Sequence, residues 1–534
     1  MSLLTDLAMT SRYARRLPAF LRSAMGPEQA RRTLELQLAT RTESFLRTVE
    51  RGIFGRFKSP YRALFDWAGI GFPDLRRLVV AHGIEGALSR LYEAGVWVSL
   101  EEFKGYRPIE RHGRVLPVRA SDFDNPLISA DFQGRTGGSR SAGRRLLIDL
   151  DLLRYDAAAH WVFLSSFGLL ERPMGVWRSV PPDNSGIKKL LLQARIGKTV
   201  QRWFSQTPQR FGNGGARYVA FTEFTRAVAW LLGTPQAPPE HTPIEDARKV
   251  AEWLSAERRN GTPAQLDTIA GCAVRVCLAA LENNLDISST LFRAGSEPLT
   301  SAKARIIEKA GCRVVCHYAM SELGPVAMAC ADGVAVDDVH LRLDKVALVQ
   351  RPRQVGNGGP FVDAFYLTTV LSCCPKLMIN VETDDYGVAE RRTCACAFGR
   401  LGFDWHLHTI RSYEKLTSEG IQFLGTELIS LLEETLPARF GGAPSDYQFI
   451  EEEDQDGLPR VSVVVSPRVS LHDESLVIQT VLESLSCASR GHRLMTGAWQ
   501  AGRTLRVLRR EPYSTQAGKI LPLHIIPKEA ARNG

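Results

Sequence analysis

Two hydrophobic periods run along the chain, and they trade places several times. Near the start Leu17, Phe20, Leu21 and Met25 recur at helical spacing, followed by Leu34, Leu38, Phe45 and Leu46. Residues 1–118 are therefore expected to form a helical, strongly basic lobe whose apolar stripes pack on the body. Further on, PIEDARKVAEWLSAERR reads as a helix with Val250, Trp253 and Leu254 inward. Thr262 and Pro263 have the chemistry of a helix cap and first turn, and Ile269, Ala273, Val276 and Ala280 keep helical spacing behind them. The Gly-, Pro- and Gln-rich stretch from Thr207 to Pro243 is expected to include a loop near a substrate cavity.

The period then switches to extended. TLFRAGSEPLT reads as a short strand, SAKARIIEKAG as an amphipathic helix closed by Gly311, and CRVVCHYAMSELG as a second strand running into a loop. That is one βαβ unit with polar residues at both strand ends, where ligands bind in open α/β sheets. Short strands follow in VHLRLDKVALVQ, FVDAFYLTTVL and KLMINVETDDYG, and the last 120 or so residues alternate helix, strand, turn, strand, helix.

Length and charge narrow the class. A chain of 534 residues exceeds one compact core, so at least two domains are expected. The net charge of +9 suits acidic ligands such as nucleotides, yet no nucleic-acid-binding signature accompanies it. No stretch approaches the length of a membrane span. The N-terminal stretch lacks an apolar core, and the ten cysteines form no disulfide framework, so a cytoplasmic, reduced protein is expected.

Three loops carry candidate chemistry. In FQGRTGGSRSAGRR, Thr136, Gly137, Gly138, Ser139, Arg140, Ser141 and Gly143 make a small-residue loop, with Arg144 and Arg145 beside it. Its amides, hydroxyls and guanidinium groups can wrap a phosphate chain. It is not a Walker loop, and Gly197-Lys198-Thr199 fails as one because Leu192 replaces the required glycine. The second loop holds Ser296, Glu297 and Pro298. The third holds Tyr318, Ala319, Met320, Ser321 and Glu322.

Taken together, GSEPLT, YAMSELG, the phosphate loop and a terminal STQAGKI resemble the adenylate-forming superfamily, in particular its phenylacetate–CoA-ligase-like branch. The resemblance runs from about Ser59 to Ile520. It implies an α/β fold: a large N-terminal body of stacked α/β sheets over residues 119–410 and a small mobile α+β domain over 411–534. It implies ATP as cosubstrate, with the second and third loops flanking adenine and triphosphate, the first serving as the phosphate loop, and Asp385 taking the ribose hydroxyls, Asp384 being the fallback. Arg411 would contact ribose or phosphate at a hinge continued by Tyr413 and Glu414. Lys519 would be the catalytic lysine, assisted by Ser321 and by Glu322, which would also hold magnesium. A mobile ammonium has a physical rationale, because a carboxylate attacking the α-phosphate accumulates negative charge that only a cation can offset.

Cys330, His340, Cys394 and Cys396 offer thiolate and imidazole ligands suited to a structural zinc site. The same residue types recur in the branch resembled, and free cysteines in a β-region are the alternative. His406 and His408 read as strand residues on one face. The expected reaction is activation of a small carboxylic acid to an acyl-adenylate, then transfer to coenzyme A. Transfer to a carrier-protein pantetheine arm or an amine, and a nucleotide-binding relative without turnover, stay open beside it. The acid pocket is expected to be apolar, drawn from Trp161 to Pro182, the segment near Phe211, and Ala319 and Met320.

Overall fold

The computed structural model describes residues 3–129, 131–135, 145–209, 215–354, 361–412, 417–418, 421–422, 425–453, 459–486, 505–515 and 518–526. The small-residue loop at 136–143, Phe211, and Tyr413 and Glu414 lie outside them.

The N-terminal helices include Leu3–Leu21, Pro27–Ala39, Arg41–Val49 and Phe72–Glu93. The stripe Leu17, Phe20, Leu21 and Met25 is buried, as its spacing predicts, in one core with Phe163, Val326 and Leu348 of the body. Arg16 ties the first helix to Asp131 at 2.7 Å. Among the described residues no helix is long and apolar enough to cross a membrane.

The body is built on a twelve-stranded sheet. Its strands are β1 (Met174–Trp177), β2 (Arg202–Ser205), β3 (Pro239–His241), β4 (Gln265–Ile269), β5 (Leu291–Gly295) and β6 (Arg313–Met320), then β7 (Gly324–Ala329), β8 (Val339–Leu341), β9 (Val346–Gln354), β10 (Phe361–Thr369), β11 (Val381–Arg391) and β12 (Trp405–Ser412). The order is β9-β10-β11-β12-β8-β7-β6-β5-β4-β1-β2-β3. From β3 to β6 every pairing is parallel, and from β6 to β9 every pairing is antiparallel. Strand β6 is thus the pivot, and its register shifts between Tyr318 and Ala319, just where the candidate loop begins.

The expected βαβ unit is present as β5, the Ser301–Lys309 helix and β6, with Val314 opposite Phe292. β5 ends in Gly295, where a Cβ would come within 2.6 Å of the His317 ring.

One expectation changes. Thr262 and Pro263 do not open a helix. QLDTI pairs with both β1 and β5 as a buried strand, and the helix starts only at Ala270. Two flanking ladders outweigh the local capping signal. The Thr207–Pro243 stretch also contains a 16-residue helix, Ala216–Leu231, where Thr222, Thr225 and Ala229 turn inward at helical spacing.

A second unit follows β12. Strands β13 (Tyr447–Glu453), β14 (Pro459–Val465), β15 (Arg506–Arg509) and β16 (Leu523–Ile526) form a four-stranded sheet ordered β15-β14-β13-β16. The Glu474–Ser486 helix and the turns around Leu428 and Leu432 cover it. Its core, with Phe449, Val463 and Val477, is separate from that of the body. This is the α+β part the sequence predicts.

Candidate active site

A cavity of about 400 Å³ opens at the C-terminal ends of β1, β4, β5 and β6. Ser296, Glu297, Pro298, Tyr318, Ala319, Met320, Ser321, Asp385, Arg411 and Lys519 all line it. These residues come from five segments far apart in sequence, and the fold brings them to one opening. Glu322 sits in the turn between β6 and β7, half-buried, and is not part of the cavity wall.

On one side Tyr318 donates a hydrogen bond to Asp385 Oδ2 at 2.7 Å. Burial, followed by the charge of Asp385, pushes the tyrosine pKa well up, so the phenol stays a donor. Ser412 donates to Asp384 at 3.1 Å, which leaves Asp385 as the carboxylate in the wall. Arg411 is held by Asp337 at 3.1 Å, while the same carboxylate accepts the backbone amides of Thr409 and Ile410. Asp337 therefore fixes both the guanidinium and the chain that carries it.

Opposite, Ser296 has a left-handed backbone, φ 71°. Non-glycine residues hold that conformation only where their surroundings over-determine it. Here Arg178 donates to Ser296 Oγ at 3.1 Å. Glu297 next to it accepts the Gly271 amide at 2.9 Å with one oxygen and the Ile520 amide at 3.0 Å with the other. One carboxylate thus clamps the C-terminal unit to the body immediately beside Lys519.

The loop that carries Lys519 is tightly turned. Thr515 donates its amide to the Lys519 carbonyl at 2.7 Å, and Gly518 donates to the Thr515 carbonyl at 2.7 Å. Gly518 needs its φ of 75°, and a Cβ there would meet the Gln206 side chain at 2.7 Å. A second clamp joins the units at the far wall, where Lys303 pairs with Glu433 at 2.8 Å and Thr300 also hydrogen-bonds that carboxylate.

The rest of the wall corrects the expected apolar pocket. Of Trp161–Pro182 only Arg178 lines the cavity. The wall is supplied instead by the Leu150–Ser166 and Ser185–Arg195 helices through Leu152, Leu153, Asp156, Lys188, Lys189 and Leu192. Behind it Asp267 faces Arg178 at 2.9 Å, Lys189 at 2.8 Å and Arg293 at 3.8 Å. Burial, with Arg293 and Arg178 adding, pushes the Lys189 ammonium down to about 8 despite Asp267. Burial, then the same cations, holds His160 and His317 well below the usual histidine range, so both imidazoles are neutral. Sequence reasoning missed this network. Its one visible trace is a pair of adjacent lysines directly before the apolar run of Leu190, Leu191 and Leu192 in SGIKKLLLQAR.

A second cluster lies away from the cavity. Donor atoms of Cys330, His340, Cys394 and His406 all fall within 4.8 Å of one another. His406 thereby joins Cys330, His340 and Cys394, with Cys396 beside them, 3.0 Å from His340 Nε2. The cause is strand pairing, because β8 and β12 put His340 opposite His406. His340 Nδ1 donates to the Phe403 carbonyl at 2.7 Å, which leaves the Nε2 lone pair facing Cys396 Sγ. His406 Nδ1 is held by Asp338 at 2.8 Å, and its buried Nε2 has no hydrogen-bond partner among the described residues. Two oriented imidazole nitrogens facing thiols are a donor set that fits a zinc ion.

No family model and no curated protein matches the chain. Among solved structures it is similar to 2-hydroxyisobutyryl-CoA ligase in complex with 2-HIB-AMP and CoA, at 15% identity and a TM-score of 0.44, over 95% of this chain and 88% of that chain. It is also similar to ATP-bound MatB from Rhodopseudomonas palustris, at 14% identity and a TM-score of 0.42, over 78% and 69%. A third is the anthranilate CoA ligase AuaEII in complex with anthranoyl-AMP, at 12% identity and a TM-score of 0.40, over 73% and 65%.

Proposed function

We propose that the chain activates a carboxylic acid with ATP to an acyl-adenylate and pyrophosphate, then passes the acyl group to the thiol of coenzyme A, releasing AMP. The observation that carries this reading is the position of Lys519. The lysine reaches the cavity from the small C-terminal unit, on a loop clamped by Glu297, and faces the same space as Tyr318, Asp385 and Arg411.

In the first step a substrate carboxylate oxygen attacks the α-phosphorus, and the bond to the bridging oxygen of pyrophosphate breaks. Asp385 accepts the ribose hydroxyls, since a carboxylate offers two acceptor oxygens to a diol. Tyr318 and the Ser296–Pro298 turn enclose the base and phosphate side, and Arg411 faces the phosphates. The Lys519 ammonium bridges carboxylate and α-phosphate, where charge accumulates in the transition state. Glu322 is not in the wall, so no step is assigned to a magnesium ion held there. In the second step the thiol sulfur adds to the acyl carbon, AMP leaves, and the thiol proton goes to solvent. That step needs the Lys519 loop to withdraw, and the Glu297–Ile520 contact is the latch that would open. The cysteine–histidine cluster is assigned to a structural zinc ion holding β8, β12 and the Cys394–Cys396 turn together.

Pyrophosphate release with ATP tests the reading across aryl, short-chain and dicarboxylic acids, each with and without coenzyme A. Release stimulated by coenzyme A is the expected result. Release indifferent to coenzyme A would move the acceptor to a carrier-protein arm or an amine. Silence with every acid, while ATP still binds, would overturn the activation step.

A further inference from the structure

The wall between the two helices holds a cation that nothing in the proposed reaction uses. Lys188 lines the cavity, and its ammonium forms no ion pair or hydrogen bond among the described residues. Its neighbours are already committed. Asp156 takes Lys345 at 2.8 Å and Arg342 at 3.5 Å, and Arg342 also pairs with Asp344. Asp183, also in the wall, accepts the Ser185 amide at 2.7 Å as a helix-start turn. Next along the helix, Lys189 is spent on Asp267, which two arginines also face.

Arg178, Lys189, Arg342 and Lys345 each have a carboxylate partner, so Lys188 is the cation of this wall left without an ion pair among the described residues. A buried polar network with an unmatched charge is costly unless a partner arrives. Leu152, Leu153 and Leu192 line the same cavity, so an anion bound there would have apolar surface beside it as well as the ammonium.

We propose that this cavity selects acids that carry a second anionic group, with Lys188 receiving that group while the other carboxylate is activated. The substrate class is therefore dicarboxylic acids, with Leu152, Leu153 and Leu192 covering the methylene segment between the two ends. The inference rests on the cavity being the acid-activating site proposed above.

The test compares succinate, glutarate and adipate with butyrate, valerate and hexanoate in the full chain, by pyrophosphate release with ATP. At least one diacid should exceed its matched monoacid in kcat/KM by about tenfold or more, the scale of one charge-assisted hydrogen bond. In Lys188→Met that ratio should fall toward one, through KM, and Lys188→Arg should restore most of it. The ratio is its own control, because a misfolded variant loses both acids alike. Monoacids preferred by the wild type, or a ratio unchanged by Lys188→Met, would overturn the proposal while leaving acid activation in place. If no acid in the series releases pyrophosphate, calorimetric titration of the same diacids decides. Binding lost in Lys188→Met upholds the anion site though the reaction reading has failed, and binding equal in both proteins, or absent from both, overturns it.

Discussion

In the proposed reaction single side chains set the chemistry, and Lys519 is the sharpest case. A lysine that acts only where carboxylate and phosphate meet contributes to the transition state and little to ground-state binding. Lys519→Ala should therefore cut pyrophosphate release by about a hundredfold or more, the usual loss for one such group. ATP affinity, read by calorimetry, should change far less. Lys189 supplies a pH signature. Its folded pKa, pushed down to about 8 chiefly by burial, lies below the ordinary lysine value, so between about pH 8 and about 10.5 the unfolded chain binds a proton that the folded chain has lost. Stability owed to this residue is lowest below pH 8 and rises with pH through that window. Urea midpoints across it should show a rise in the wild type that Lys189→Met lacks.

Elements are joined here by buried pairs. The Ser301–Lys309 helix meets the C-terminal unit through Lys303 and Glu433, whose side chains are 10% and 7% exposed. Removing one partner of such a pair leaves a buried charge without its counter-charge. Glu433→Ala should lower stability by about 3 kcal/mol or more. A double change, Lys303→Met with Glu433→Leu, should recover most of that in denaturant unfolding. At β8 and β12, His340 and His406 present nitrogens to the thiols of Cys330 and Cys394. Elemental analysis should find about one zinc per chain. Chelation or His340→Ala should remove it and lower the melting temperature, with little change in KM for ATP, since the cluster lies outside the cavity wall.

Across the whole molecule, the C-terminal unit has a hydrophobic core of its own, and among the described residues its contacts with the body include the Glu297 latch, the Lys303–Glu433 and Arg305–Glu434 pairs, and Ala443, which packs into a core of the body. Units with their own cores unfold with their own cooperativity. Calorimetry should resolve two transitions. Glu297→Gln, which keeps the side chain's size but weakens the clamp on the Gly271 and Ile520 amides, should bring forward the one belonging to the C-terminal unit and leave the other in place.

Much of this was legible in the chain itself. The helical stripe around Leu17, the βαβ unit from Leu291 to Met320 and the alternating strands after Cys330 follow from side-chain period, which depends only on near neighbours in sequence. Strand ends mark where ligands go, so the loops at Ser296 and Tyr318 could be named in advance. The rest depended on what lies beside what. QLDTI became a strand because β1 and β5 flank it, against the capping signal at Thr262. His406 joined the cysteine–histidine cluster because β12 pairs with β8. Glu297 turned out to clamp the Lys519 loop, and Lys188 to face a cavity rather than water, only once distant segments had packed together. Period and turn chemistry are local and can be read along a chain. Charge balance, burial and convergence are sums over neighbours that only the folded structure supplies.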